Sequence, residues 1–103
     1  MYKFRRYVIP VTEIDEVIVD LGFARPGRLE RASVHYRAHI RGRWRSVIRY
    51  DNAHGQPHCH RFWAKNIIRP LPKGTQPTRL IEMAKVDLKK NWTTYRRRLE
   101  AMP

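Results

Sequence analysis

Apolar and polar residues alternate most regularly between Ser33 and Asp51. In SVHYRAHI, Val34, Tyr36, Ala38 and Ile40 alternate with Ser33, His35, Arg37 and His39. In RWRSVIRYD, Trp44, Ser46, Ile48 and Tyr50 alternate with Arg45, Val47, Arg49 and Asp51. A period of two is the signature of a strand with one buried face. Arg41-Gly42-Arg43 between the two runs reads as a hairpin turn. A two-residue loop would oppose Ile40 to Arg43 and mix the faces. A three-residue loop opposes Ile40 to Trp44, Ala38 to Ser46 and Tyr36 to Ile48, which makes one face apolar. The expected register is therefore the longer loop. It puts Trp44 and Tyr50 on the buried side and His35, Arg37, His39, Arg45 and Arg49 on the other.

A second periodicity governs the C-terminus. Leu80, Ile81, Ala84, Leu88, Trp92, Tyr95 and Leu99 recur at steps of three and four, which predicts an amphipathic helix from Pro77 to about Leu99. Pro77 suits its first turn. Lys85, Lys89, Lys90 and Arg96-Arg97-Arg98 lie mainly off the stripe, and cations near a helix C-terminus complement its dipole.

The remaining segments are less decisive. YKFRRYVI, Tyr2 to Ile9, reads as a strand that Pro10 stops. In TEIDEVIVDLG, Ile14, Val17, Ile18 and Leu21 fit a helix, with Thr12 as N-cap, Asp15 three residues on and Gly22 as stop. Val17, Val19, Leu21 and Phe23 also alternate, and β-branched residues disfavour helix, but the helix is the expectation for residues 13–21. Its acids, Glu13, Asp15, Glu16 and Asp20, are expected on the side away from an anionic ligand. ARPGRLER is a loop built on Pro26 and Gly27. PHCHRFWA, Pro57 to Ala64, is a third strand. His58, His60 and Phe62 point one way and Cys59, Arg61 and Trp63 the other, and either set suits the core. NIIRPLPKGTQP is a proline-rich connector that resists both helix and central strand.

Together these elements predict one α+β domain over residues 1–103. An antiparallel meander of three to four strands packs Val34, Tyr36, Ile40, Trp44 and Ile48 against the C-terminal helix. The 103 residues, 42% hydrophobic, suit a single modest core. No apolar run approaches the roughly 20 residues that cross a bilayer, and no apolar segment follows the basic start as in a signal peptide. A single cysteine forms no internal disulfide, which points to a reducing cytoplasm.

Charge changes the picture most. The formal net charge is +13, beyond the roughly 2–8 that solubility asks of a small domain. Such an excess costs self-repulsion and points to an anionic partner, RNA or a ribonucleoprotein such as the ribosome before an acidic protein.

The chemistry gathers in RYDNAHGQPHCHRFW, Arg49 to Trp63. Its histidines match no standard closed zinc site and the cationic chain opposes a metal ion, so no metal or cofactor is expected. Histidine titrates near neutrality and serves as general acid or base. Metal-free RNA cleavage needs a base for the 2′-hydroxyl, an acid for the leaving oxygen and cations for the phosphorane. His58 and His60, then His54, are the acid–base candidates, with Asp51 orienting a histidine or capping the turn. Arg37, Arg45, Arg49 and Arg61, with His35 and His39, are the candidate RNA-binding residues. The alternative is a non-enzymatic nucleic-acid- or ribosome-binding module, with arginines for phosphates and aromatics for stacking. Cys59 has no specified partnering base and reads as a structural thiol.

The hairpin followed by RYDNAHGQPHCH resembles the TumE-type toxins of toxin–antitoxin modules. There an Arg-Tyr-Asp-Asn run closes a strand and a Pro-His-x-His cluster follows. The matching positions are Arg49, Tyr50, Asp51 and Asn52, then His54, Pro57, His58 and His60, within Val34 to Trp63. The resemblance implies a toxin that acts on RNA or translation and pairs with a helix-turn-helix antitoxin. It carries over no catalytic residues.

Overall fold

A computed structural model describes residues 3–53, 56–65 and 67–103. Strands β1 (Lys3–Thr12), β2 (Asp15–Arg25), β3 (Arg28–Ile40), β4 (Arg43–Asp51), β5 (His58–Arg61) and β6 (Ile67–Pro70) precede helix α1 (Pro77–Glu100). The strands pair antiparallel with their sequence neighbours in one sheet ordered β1-β2-β3-β4-β5-β6. Helix α1 packs on β3 and β4. The α+β plan is as expected, but the described residues form six strands rather than three to four.

The extra strands correct four readings. Residues 15–25 are strand β2, not helix: Val17 and Val19 lie opposite Tyr36 and Val34, and all four are buried. An isolated helix over this stretch would be marginal, whereas β3 offers these β-branched residues a ladder and a core. The residues that looked like a helix cap close a hairpin instead. Thr12 Oγ1 accepts from Ile14 N at 3.1 Å and donates to Asp15 Oδ2 at 2.5 Å. Pro10 does not stop β1, which runs on to Thr12 with a register shift between Pro10 and Thr12. Pro-Gly at 26–27, with Gly27 at φ 74°, is only a tight turn between β2 and β3. The connector yields β6, which ends in Pro70. β1 and β6 are the sheet edges, where a missing N–H donor is tolerated.

The β3–β4 hairpin differs from its predicted register, for a specific reason. Ile40 lies opposite Arg43, so the loop is the two-residue Arg41-Gly42. Both have positive φ, 50° and 84°, the arrangement whose twist suits a hairpin. The Arg41 guanidinium donates to the Glu100 and Met102 carbonyls at 3.2 and 3.3 Å, tying the turn to the helix end. A bulge at Val47 then restores the apolar register, so Tyr36 meets Ile48 as expected while Arg37 meets Ser46. Residues between turn and bulge exchange faces. Trp44 comes to the outer face beside His39 and is 39% exposed, and Arg45 lies opposite the buried Ala38 on the helix side.

Helix α1 matches its predicted stripe: Leu80, Ala84, Leu88, Tyr95 and Leu99 are buried, and Ile81 and Trp92 pack against the core. Each fully buried aliphatic side chain contributes roughly 1.5–3 kcal/mol. Two polar clusters stitch the helix to the sheet. Asp15 Oδ1 accepts from Tyr36 Oη at 2.5 Å and from the Arg96 guanidinium at 2.7 Å, and Arg96 also donates to the His39 and Ile14 carbonyls. Asp87 accepts from Tyr50 Oη, from Tyr95 Oη at 2.6 Å and from Asn91 Nδ2 at 2.8 Å.

Candidate nucleic-acid interface

With α1 covering one face, the opposite face of the sheet carries His35, His39, His58 and His60. Strand alternation and register set its side chains in rows. One row runs Val8, Ile18, His35, Arg49, His60 and Ile68 across β1 to β6, and the next runs Arg6, Asp20, Ser33, Asp51, His58 and Pro70. Side chains in a row are about 5 Å apart, and adjacent rows are about 7 Å apart. β5 thereby resolves its ambiguous strand pattern. Cys59 is buried opposite Tyr50 and Trp63 stacks on Tyr95 at 4.8 Å, so His58 and His60 face outward.

His58 Nε2 lies 3.4 Å from Asp51 Oδ1, and His58 Nδ1 lies 3.0 Å from the Gln56 carbonyl. Both ring nitrogens therefore face protein acceptors, which fix the orientation of the ring. Asp51 Oδ1 also accepts from Ala53 N at 3.0 Å, so it both orients a histidine and shapes the turn. His60 stacks on Phe62, with ring centroids 4.0 Å apart at 18°. His54 lies outside the described residues.

The cations of this face are not equivalent. Arg6 is paired with Asp20 at 2.6 Å and Arg37 with Glu16. These acids sit on the basic face, contrary to the expectation that they lie away from it, and they neutralise two of its arginines. Asp15 turns toward the helix, and Glu13 borders a depression shared with Trp92 and Arg97 of α1. Arg49 has no ion-pair partner among the described residues and stands between His35 and His60. It borders a depression of about 350 Å³ that Arg31, Asp51 and His35 also line.

His35 is not an acid at neutral pH. Burial first, then the nearby Arg49 and Arg37 guanidinium groups, lower its pKa to about 4. Its Nε2 is 2.8 Å from Ser46 Oγ, so it helps shape the wall beside Arg49. His39 belongs to a separate group near the hairpin tip. It meets Trp44 edge-on at 5.4 Å, and Arg37 lies over the same indole at 5.0 Å.

Of the sequence candidates, the sheet brings His35, Arg37, His39, Arg49, Asp51, His58 and His60 to one face. Arg45 and Arg61 lie on the helix side, Arg45 through the bulge and Arg61 through its register opposite Ile48. Arg61 lies 5.7 Å from the Trp63 ring. Residues not foreseen include Glu16, Asp20, Ser46, Arg6 and Arg31. The Asp51–His58 pairing was findable by folding β5 back on β4. The acid partners of Arg6 and Arg37 were hidden by the helix reading of β2.

Cys59 is no nucleophile. Burial raises its thiol pKa to about 11, outweighing the nearby Arg61 and Arg69. Iodoacetamide at neutral pH should label it only after denaturation; rapid labelling of the folded protein would contradict this. Among the described residues no group of three or more His, Cys, Asp or Glu side chains is placed to hold a metal ion. No helix is long and apolar enough to cross a membrane.

No curated protein and no solved structure shows significant similarity to the chain. A family described as a domain of unknown function matches residues 5–102, nearly the whole fold. The chain therefore belongs to the DUF7718 family.

Proposed function

We propose that the protein acts on RNA across the outer face of its sheet and cleaves it without a metal, by histidine acid–base chemistry. The observation that carries this reading is Arg49, without an ion-pair partner among the described residues, flanked by His60 and His35 and one row from the His58–Asp51 pair. Arg49 supplies a positive charge for a phosphate. His60, whose ring nitrogens have no hydrogen-bond partner among the described residues, takes the proton from a 2′-hydroxyl. That oxygen attacks the phosphorus, and His58 protonates the departing 5′-oxygen. The two histidines are two residues apart on one strand face, about 7 Å, which leaves room for a phosphate between them. The products would be a 2′,3′-cyclic phosphate and a free 5′-hydroxyl. The net charge of +13 supports a polyanionic substrate. The likeness of residues 34–63 to TumE-type toxins supports RNA or the translation machinery as target, a helix-turn-helix antitoxin as partner and the cytoplasm as the place of action.

A second reading is a non-enzymatic RNA- or ribosome-binding module. The Phe62–His60 stack favours it, because one face of the ring is covered and the pair forms a flat platform for a base. Incubating single-stranded RNA with the purified protein in EDTA separates the two. Cyclic-phosphate ends support catalysis; salt-sensitive binding without cleavage supports the module. Under either reading Arg49→Ala should weaken binding evenly across sequences and reduce the slope of log affinity against log salt by about 1. No RNA affinity at physiological salt defeats both.

A further inference from the structure

An exposed groove lies on the helix side of the sheet, away from the histidine face. β1 is an edge strand and is exposed along nearly its whole length. Between it and α1 runs a groove of about 350 Å³. Ile9, Val11, Leu88 and Trp92 line it, and Lys85 and Lys89 are the charged residues of its lining, which contains no acid. The Lys85 ammonium lies 5.6 Å from the exposed Tyr7 ring. Tyr7 in β1 and Ile14 in the β1–β2 turn, 39% and 45% exposed, flank the groove. An apolar floor beside two lysines suits an occupant with apolar side chains and carboxylates. A second copy fits poorly, since it would bring another +13 and two more lysines to the same seam. Nucleic acid offers the groove phosphates but little aliphatic surface.

We infer that this groove docks an acidic amphipathic segment of a protein partner, with apolar anchors between β1 and α1 and carboxylates at Lys85 and Lys89. The site does not depend on RNA cleavage or on the outer face. A labelled synthetic helical peptide, with leucines at three- and four-residue spacing and glutamates elsewhere, tests it by fluorescence anisotropy. It should bind, and the same peptide with glutamine for glutamate should bind about tenfold or more weakly. Lys85→Glu/Lys89→Glu, which changes two exposed side chains, should reduce binding of the acidic peptide by a similar factor. So should Val11→Asp at the edge strand, whereas Arg49→Ala on the opposite face should leave it unchanged. Four results would each overturn the inference. These are no binding, binding unaffected by the groove variants, loss of binding with Arg49→Ala alone, and a homodimer in sedimentation that Val11→Asp dissolves.

Discussion

Arg96→Ala should destabilise the fold by about 3–5 kcal/mol, the cost of stripping one partner from a buried ion pair. The Asp15 side chain is 3% exposed and that of Arg96 16%, so water does not replace the lost charge. The substitution also removes donors from the His39 and Ile14 carbonyls. A domain of this size has only about 5–15 kcal/mol in hand, so the thermal midpoint should fall by more than roughly 10 °C. Circular dichroism melts would measure it. A loss below about 1 kcal/mol would show that the helix does not depend on this tie. Arg96→Lys should fall between, because an ammonium keeps the charge but cannot span several acceptors as a guanidinium does. The same cluster sets an acid limit. Burial alone would raise the Asp15 pKa, but hydrogen bonds from Thr12, Tyr36 and Arg96 outweigh it and hold it below 3.8. A lowered carboxylate contributes stability above its unfolded pKa and loses it as pH falls through the folded value. Wild type should therefore weaken below about pH 4, and Arg96→Ala should show a smaller acid limb.

His58→Ala should slow RNA cleavage about 10²- to 10⁴-fold, the usual worth of a positioned acid or base, with RNA affinity nearly unchanged. Cleavage of a defined single-stranded oligonucleotide in EDTA, followed by end-group analysis, measures the effect. Asp51→Asn should reduce the rate less, since it removes the charge beside His58 Nε2 but leaves the Gln56 carbonyl contact at Nδ1. Equal rates in wild type and His58→Ala would mean that the cleavage does not come from this face. The variant is a fair test because His58 lies on the outer face of β5, away from the helix-packed core.

The two β-hairpins that failed in the sequence reading failed for the same kind of reason. Residues 13–21 satisfy both a three-to-four and a two-residue period, and only the presence of β3 alongside decides between them. The Arg41-Gly42 turn satisfies the backbone twist locally, and the apolar register is recovered further along by the bulge at Val47. A regular ladder cannot meet both demands, and a register without a bulge lengthens the loop and puts Trp44 and Arg45 on the opposite faces. The same two errors obscured the charge pattern. With β2 read as helix, Glu16 and Asp20 had no reason to meet Arg37 and Arg6, and Arg49 did not stand out as a cation without an ion pair among the described residues.

The chain by itself determined the helix, the inward set of β3, and the outward placement of His35, Arg37, His39 and Arg49. In the helix and β3 one period dominates over a span long enough that no competing pattern survives, and Arg49 keeps its expected side because the pairing beyond the Val47 bulge is the expected one. It also determined the excess of positive charge, which composition alone establishes. The tertiary structure decided which way β5 faces, which arginines are neutralised and where Asp51 meets His58. Those outcomes depend on contacts between residues distant in sequence, whose energies exist only once neighbouring strands lie in register.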